Sequence, residues 1–332
     1  MNLLVTGGLG FIGTNFVRYM LRTHPKLKIT NIDKMGLGSN PANLKDLEKT
    51  GNYRFVKGDI SNFSLVKDLV KEADAIVNFA AETHVDRSIA DPAPFLESNI
   101  LGTFTLLEAV RKVDDAVEYV QISTDETYGD ILEGTFKETD RLTPSNPYAA
   151  TKASGDMLCL AYYRTYGLKV KITRCTNNFG PYQFPEKLIP KTIIRAYKDL
   201  PIPVYGTGSN MRDWLYVLDH CEAVSLVLDK GKPGEIYNIS SGVETANIDV
   251  VREILRLLGK KDNLIIFVED RPGHDFRYSL DSSKIRTELG WKPRYDLSSA
   301  LERTVEWYIK NEAWWKPLAT EKVLHPTPWK AR

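Results

Sequence analysis

A short apolar run, Leu3-Leu4-Val5, opens directly into Thr6-Gly7-Gly8-Leu9-Gly10-Phe11-Ile12-Gly13, and a helical pattern follows from Asn15 to Leu21. Glycines at 7, 10 and 13 permit a tight turn, close backbone approach to a pyrophosphate, and close packing of helix on strand. Those are the needs of a dinucleotide-binding βαβ unit. A glycine loop alone is a weak signal, but here its surroundings agree with it. A second strand, Lys28 to Ile32, ends in Asp33, 20 residues past Gly13. An acid at that place accepts both ribose hydroxyls of an adenosine and repels a 2'-phosphate, which favours NAD over NADP.

Alternation of strands and helices continues. Tyr53 to Val56 reads as a strand running into Gly58-Asp59-Ile60, Ser61 to Glu72 as an amphipathic helix, and Ala75 to Phe79 as another strand. Such alternation predicts an α/β fold built on a Rossmann-type, doubly wound parallel sheet. Ligands of such sheets lie beyond the carboxyl ends of strands, which places Asp59, Ala80 and Ala81 at the cofactor. A polar loop, Ala80 to Ser88, follows, and then a helix from Phe95 to Lys112 whose Leu101, Phe104, Leu107 and Val110 form a stripe read as core or dimer face.

Past Asn177 the alternation breaks down. Segments 183–190, 201–212 and 270–277, rich in Pro, Gly and charge, are separated by helices near 219–228, 248–258 and 298–310. These predict a smaller, interleaved C-terminal substrate-binding domain. The expected boundaries are 1–176 for the NAD-binding domain and 177–332 for the substrate domain, with segments near 213–240 returning to the first. Lys187, Arg212, Arg271, His274 and Arg277 give the second part cations suited to a diphosphate. Trp307, Trp314, Trp315 and Trp329 read as a packed closing flap.

The charge balance excludes some functions. The 332 residues hold 44 Lys and Arg against 43 Asp and Glu, a net charge of +1, so no overall field draws the chain to nucleic acid or a membrane surface. No apolar run approaches the roughly 20 residues a bilayer needs, and a cytoplasmic protein is expected. Cys159, Cys175 and Cys221 lack metal or redox spacing and read as small buried hydrophobes. The five histidines show no metal-ligand spacing either, so no metal is expected.

The chemistry concentrates in Ser123-Thr124-Asp125-Glu126-Thr127-Tyr128-Gly129, where two adjacent carboxylates follow a hydroxyl pair at the end of the apolar run Val117 to Ile122. Neighbouring carboxyls in a pocket push their pKa values apart, as an acid and a base require. Tyr148 and Lys152 stand at i and i+4 on the next helix and share one face. A lysine beside a tyrosine favours the phenolate, so Lys152 is expected to lower the Tyr148 pKa.

These motifs resemble the extended short-chain dehydrogenase/reductase superfamily and, within it, the dTDP-glucose 4,6-dehydratase family. The resemblance rests on residues 78–89 and 123–129, on Asn177-Asn178-Phe179-Gly180-Pro181-Tyr182 with its continuation to Pro190, and on Arg212-Asp213-Trp214 and Asp270-Arg271-Pro272-Gly273-His274. It implies dehydration of dTDP-glucose to a 4-keto-6-deoxy sugar with retained NAD. Thr124, Tyr148 and Lys152 would oxidise carbon 4, Glu126 would take the carbon 5 proton, and Asp125 would protonate the departing 6-hydroxyl. It also implies NAD contacts from Gly7, Gly10, Phe11, Ile12, Gly13, Asp33, Lys34, Asp59, Ile60, Phe79, Ala80, Ala81, Ser98, Tyr148, Lys152 and Asn178. Substrate contacts are implied for Thr83, Thr124, Asn177, Glu186, Lys187, Leu188, Pro203, Tyr205, Arg212, Asn247, Arg271 and His274. A homodimer through a four-helix bundle follows from the same likeness. Open alternatives are an epimerase, a decarboxylase or a UDP-sugar 4,6-dehydratase of the superfamily, and a non-catalytic NAD- or nucleotide-sensing module.

Overall fold

In the computed structural model, residues 1–330 are described, so the last two positions of the expected second domain lie outside the described residues. The strand β1 (Asn2–Thr6) buries Leu3, Leu4 and Val5, and such burial is worth roughly 1.5–3 kcal/mol per large apolar side chain. Two glycines then decide the local path. Gly7 has φ +68, and a Cβ on it would lie 2.7 Å from Ala80 Cα; a Cβ on Gly13 would lie 2.4 Å from the Gly7 carbonyl. Only the bare backbone lets α1 (Phe11–Thr23) start this close to the sheet.

The chain continues through β2 (Lys28–Asp33), β3 (Tyr53–Lys57), α2 (Phe63–Val70), β4 (Ala75–Asn78) and α3 (Val85–Ala90). The helix expected over Phe95 to Lys112 is not uniform. A turn of α4 (Ala93–Phe95) passes through a π-helical stretch, Leu96–Leu101, into α5 (Gly102–Val113). The extra residue of a π turn re-aims side chains, and Ser98 and Asn99 are both buried within it. Next come β5 (Glu118–Thr124), α6 (Pro147–Tyr166) and β6 (Val170–Cys175). On α6, Asn146 caps the first turn, Pro147 fits its first position, and Gly167 ends it with φ 75.

Beyond Cys175 lie β7 (Asn177–Phe179), α7 (Leu188–Tyr197), β8 (Ile202–Tyr205), β9 (Met211–Tyr216), α8 (Val217–Lys230), β10 (Ile236–Ile239), β11 (Glu244–Ala246), α9 (Asn247–Leu257) and β12 (Ile265–Val268). The chain then forms α10 (Ser283–Leu289), α11 (Leu297–Lys310) and α12 (Glu312–Trp315). One seven-stranded sheet runs β10-β6-β5-β4-β1-β2-β3, with every pairing parallel. This is the doubly wound parallel sheet expected from the sequence. Its order reverses between β1 and β4, the place where such sheets hold ligands. Strands β11-β9-β7 and β12-β8 form two small sheets outside it.

The apolar interior divides accordingly. The two faces of the large sheet pack against α1 and α8 on one side and against α2, α5 and α6 on the other. A separate cluster joins Phe179, Ile193, Trp214, Leu301 and Trp315. In the tail, Trp307 and Trp314 pack around Tyr182 at 4.8 and 5.8 Å, and Trp314 Nε1 donates to Asn43 Oδ1 at 2.7 Å. The aromatic end of the chain therefore ties the later elements back to the segment between β2 and β3.

Candidate active site

β5 delivers Thr124 to the end of the sheet, where a short 3-10 turn, Asp125–Thr127, presents the two acids. The Thr124 hydroxyl donates to Asp125 Oδ1 at 3.0 Å, and the Thr127 hydroxyl donates to the Thr124 carbonyl at 2.8 Å, which locks the turn. Burial, with the neighbouring Glu126, pushes Asp125 up to about 8. Burial also raises Glu126, but Arg271, Lys187 and Arg212 pull against it. The same desolvation thus meets two electrostatic surroundings. Asp125 holds its proton at neutral pH, and Glu126 faces the cations that favour its ionised form.

Tyr148 sits in the first turn of α6 and is 7% exposed. Lys152, one turn later, donates its ammonium to the Ile122 carbonyl at 2.6 Å. The expectation that Lys152 lowers the Tyr148 pKa is corrected here. Tyr148 is raised well above its ordinary value by burial and then by the negative charge of Glu126 and Asp125. Lys152 itself is lowered by burial, with Asp156 opposing.

Every residue expected to touch the cofactor lines one cleft at the strand ends, from Gly7, Gly10, Phe11, Ile12 and Gly13 through Asp33, Lys34, Asp59, Ile60, Phe79, Ala80, Ala81 and Ser98 to Tyr148, Lys152 and Asn178. The Asp33 carboxylate accepts from the Leu9 amide at 3.0 Å, the Met35 amide at 2.7 Å and the Ser39 hydroxyl at 2.9 Å, which fixes its direction. Met35 reaches this arrangement with φ 60, an unusual value for a side-chain-bearing residue. The Lys34 ammonium donates to Ser98 Oγ at 2.6 Å, joining β2 to the π-helical stretch. The fixed acid, the glycine cradle and the cleft between β1 and β4 fit a dinucleotide.

Leu188, Pro203, Tyr205, Arg212, Asn247, Arg271 and His274 line a second cleft, and Thr83, Asn177, Glu186, Lys187 and Glu126 line both. The two clefts therefore meet at Glu126. Thr124 lies on the first side of that junction. Glu186 is held by Arg87 at 2.9 Å, and Lys187 Nζ donates to the Thr83 carbonyl at 3.1 Å. Two of the expected cations do not serve as such. Arg277 is drawn into an ion pair with Glu244 at 2.5 Å and is absent from both linings. Burial and the charges of Arg271 and Arg212 hold His274 down at about 4, so it is neutral at pH 7.

Two residues that sequence reading passed over take part. Asp86 accepts from Arg271 at 2.8 Å and from the Tyr205 hydroxyl at 2.8 Å, so one carboxylate anchors two residues of the second cleft. It stands in the polar loop singled out above, but its partners are 185 and 119 residues away. Tyr278 lies with its ring 4.3 Å from the Arg212 guanidinium carbon, and burial followed by Glu126 raises its pKa. Its signal was its place directly after the charged segment 270–277.

A parallel sheet with a glycine cradle, a Tyr and Lys pair and a buried acid pair at the switch point define an extended short-chain dehydrogenase/reductase with elimination chemistry. Comparison with known proteins narrows the class. A family model described as GDP-mannose 4,6 dehydratase matches residues 4–304. A dTDP-glucose 4,6-dehydratase of Streptomyces niveus is 52% identical over 322 residues, covering 96% of both chains. A dTDP-glucose 4,6-dehydratase from Streptomyces venezuelae, solved with NAD bound, superposes with TM-score 0.93 at 46% identity over 96% of this chain and 100% of its own. One from Bacillus anthracis in complex with NAD gives 0.90 at 48%, over 96% of this chain and 99% of its own. The chain belongs to the dTDP-glucose 4,6-dehydratase family.

Proposed function

We propose that the protein dehydrates dTDP-glucose to dTDP-4-keto-6-deoxy-glucose, supplying deoxysugar or rhamnose synthesis. The observation that carries this reading is the acid pair, in which burial keeps Asp125 protonated while three cations favour ionised Glu126. Elimination needs one carboxyl of each kind within a single sugar's reach. An epimerase has no such need.

The glycine cradle, Asp33, Lys34 and Ser98 would hold NAD. Bound NAD supplies a positive charge that favours the Tyr148 phenolate and a two-electron acceptor that takes up and returns one hydride. Tyr148, with the Thr124 hydroxyl beside it, receives the proton of the sugar 4-hydroxyl. Lys152, pinned to Ile122, adds positive charge on the same helix face. A 4-keto group acidifies carbon 5, whose proton passes to Glu126. Asp125 protonates the 6-hydroxyl, which departs as water. Reduction at carbon 6 closes a redox-neutral cycle. Lys187, Arg212 and Arg271 attract the diphosphate, and Thr83, Asn177, Glu186, Leu188, Pro203, Tyr205, Asn247 and His274 shape the rest of the substrate cleft.

We further propose the two-domain division, 1–176 and 177–332 with segments near 213–240 returning to the first, and a homodimer through the helices that follow Pro94 and Pro147. Supporting the dimer, Leu96, Leu101 and Phe104 on the first helix and Met157 on the second are exposed. Three buried, free cysteines support a cytoplasmic setting, and no helix among the described residues is long and apolar enough to cross a membrane. The test of function is direct: incubation with dTDP-glucose should generate the alkaline absorbance of the 4-keto-6-deoxy product. Recovery of dTDP-galactose alone would overturn the reading.

A further inference from the structure

We propose that Lys191 is a further specificity-determining residue, its ammonium donating to a carbonyl oxygen of the nucleotide base in the part of the second cleft that the first does not share. The inference rests on reading that cleft as the nucleotide-sugar site. Lys191 lines it and is 8% exposed. Among the described residues its one hydrogen bond goes to the His325 carbonyl at 3.1 Å, which leaves two of its three N–H groups for a ligand. Neither nearby acid takes them, because Asp86 is engaged by Arg271 and Tyr205 and Glu186 by Arg87. Burial pulls Lys191 down to about 8, so it is charged at pH 7. A buried ammonium with unused donors is costly unless a bound group accepts from it.

Position selects the base over the sugar and the diphosphate. A sugar that reacts at Glu126 lies at the junction, where Thr83, Asn177 and Lys187 line both clefts. Lys191 stands one turn past Lys187 on α7, on the same face and about 6 Å further along the axis. The guanidinium forks of Arg212 and Arg271 suit the diphosphate. The surroundings of Lys191 are of another kind. Leu188, on its face of α7, packs with Val204 of β8, and Pro203, Val204 and Pro326 line the cleft with it. Pro326 directly follows His325, whose carbonyl holds the ammonium, and Arg195, one turn later on α7, donates to the Leu324 carbonyl at 3.0 Å and fixes that tail segment. Apolar side chains around a single ammonium fit a planar base, whose faces are apolar and whose edge carries carbonyl oxygens. A diphosphate would leave those apolar contacts unused.

Lys191→Met keeps the apolar stem and removes the ammonium. Affinities of the NAD-loaded wild type and variant for dTDP and for inorganic pyrophosphate are compared by calorimetry, with melting temperature and the KM and kcat for dTDP-glucose alongside. The variant should bind dTDP about 5- to 20-fold more weakly and pyrophosphate within about twofold of wild type. KM should rise by the same factor as dTDP binding weakens, with kcat within about twofold. Unchanged dTDP affinity in the folded variant would overturn the inference. Equal weakening of both ligands would assign Lys191 to the diphosphate and overturn it as well. Should the methionine variant fail to fold, Lys191→Gln, whose amide stops one atom short of the ammonium, carries the same comparison. A wild type that does not bind dTDP would instead overturn the reading of the cleft, a distinguishable result.

Discussion

Asp125→Asn offers a test of the acid that is independent of catalysis. The Asp125 pKa stands at about 8 in the folded protein because of burial and then Glu126, against about 3.9 in an unfolded chain. A carboxyl with a raised folded value binds its proton more tightly when folded, so stability is fully present below the unfolded value and is lost as pH rises toward the folded one. The slope is about 1.4 kcal/mol per pH unit. Between pH 5 and pH 7, inside both limits, this one group should cost about 3 kcal/mol. An asparagine side chain in its place has no such proton. The asparagine variant should therefore gain about 3 kcal/mol on the wild type over that interval. Urea unfolding at both pH values with saturating NAD reads the difference directly. A stability gap that is the same at pH 5 and pH 7 would show that Asp125 ionises normally, and with it the assignment of the acid would fail.

Other perturbations follow from the same geometry. Gly13→Ala puts a Cβ 2.4 Å from the Gly7 carbonyl, and NAD affinity by calorimetry should fall at least 100-fold; unchanged affinity would refute the cradle. Asp86→Asn weakens the hold on Arg271 and Tyr205, so KM for dTDP-glucose should rise about tenfold with kcat little changed. Tyr148→Phe should lower kcat by about a thousandfold or more while nucleotide-sugar binding persists. Phe104→Asp, placing a charge on the exposed apolar helix face, should shift light-scattering mass from dimer to monomer.

What sequence could reveal was set by distance along the chain. The glycine cradle, Asp33 and the Tyr and Lys pair are local patterns whose geometry follows from a turn or a helical period, and all line the first cleft. The parallel, doubly wound character of the large sheet followed from the alternation of strands and helices. Long-range electrostatics did not. Arg277 looked like a substrate cation until Glu244, 33 residues away, claimed it. The spacing of Lys152 put it on the face of Tyr148, but gave no sign of the Ile122 carbonyl, 30 residues back, to which its ammonium donates. The π-helical stretch was hidden too: Leu101 and Phe104 are exposed while Leu107 and Val110 are buried, so the stripe read as one face does not lie on one face.

The acid pair shows how backbone form turns adjacency into division of labour. Had β5 continued past Thr124, Asp125 and Glu126 would point to opposite faces of the sheet, and one of them would lie away from the sugar. In the 3-10 turn that the Thr124 and Thr127 hydroxyls brace, consecutive side chains diverge by about 120°. Both carboxyls then reach the same cleft by different approaches. Asp125 stays against the buried end of the sheet, while Glu126 turns toward Lys187, Arg212 and Arg271. Thr127→Val would leave both acids in the sequence and remove one hydroxyl brace, while the Tyr128 amide still donates to the Asp125 carbonyl at 3.0 Å. The turn should then hold, and single-turnover absorbance should show no more transient NADH than the wild type; accumulation of the oxidised intermediate would show that the Thr127 hydroxyl sets the turn.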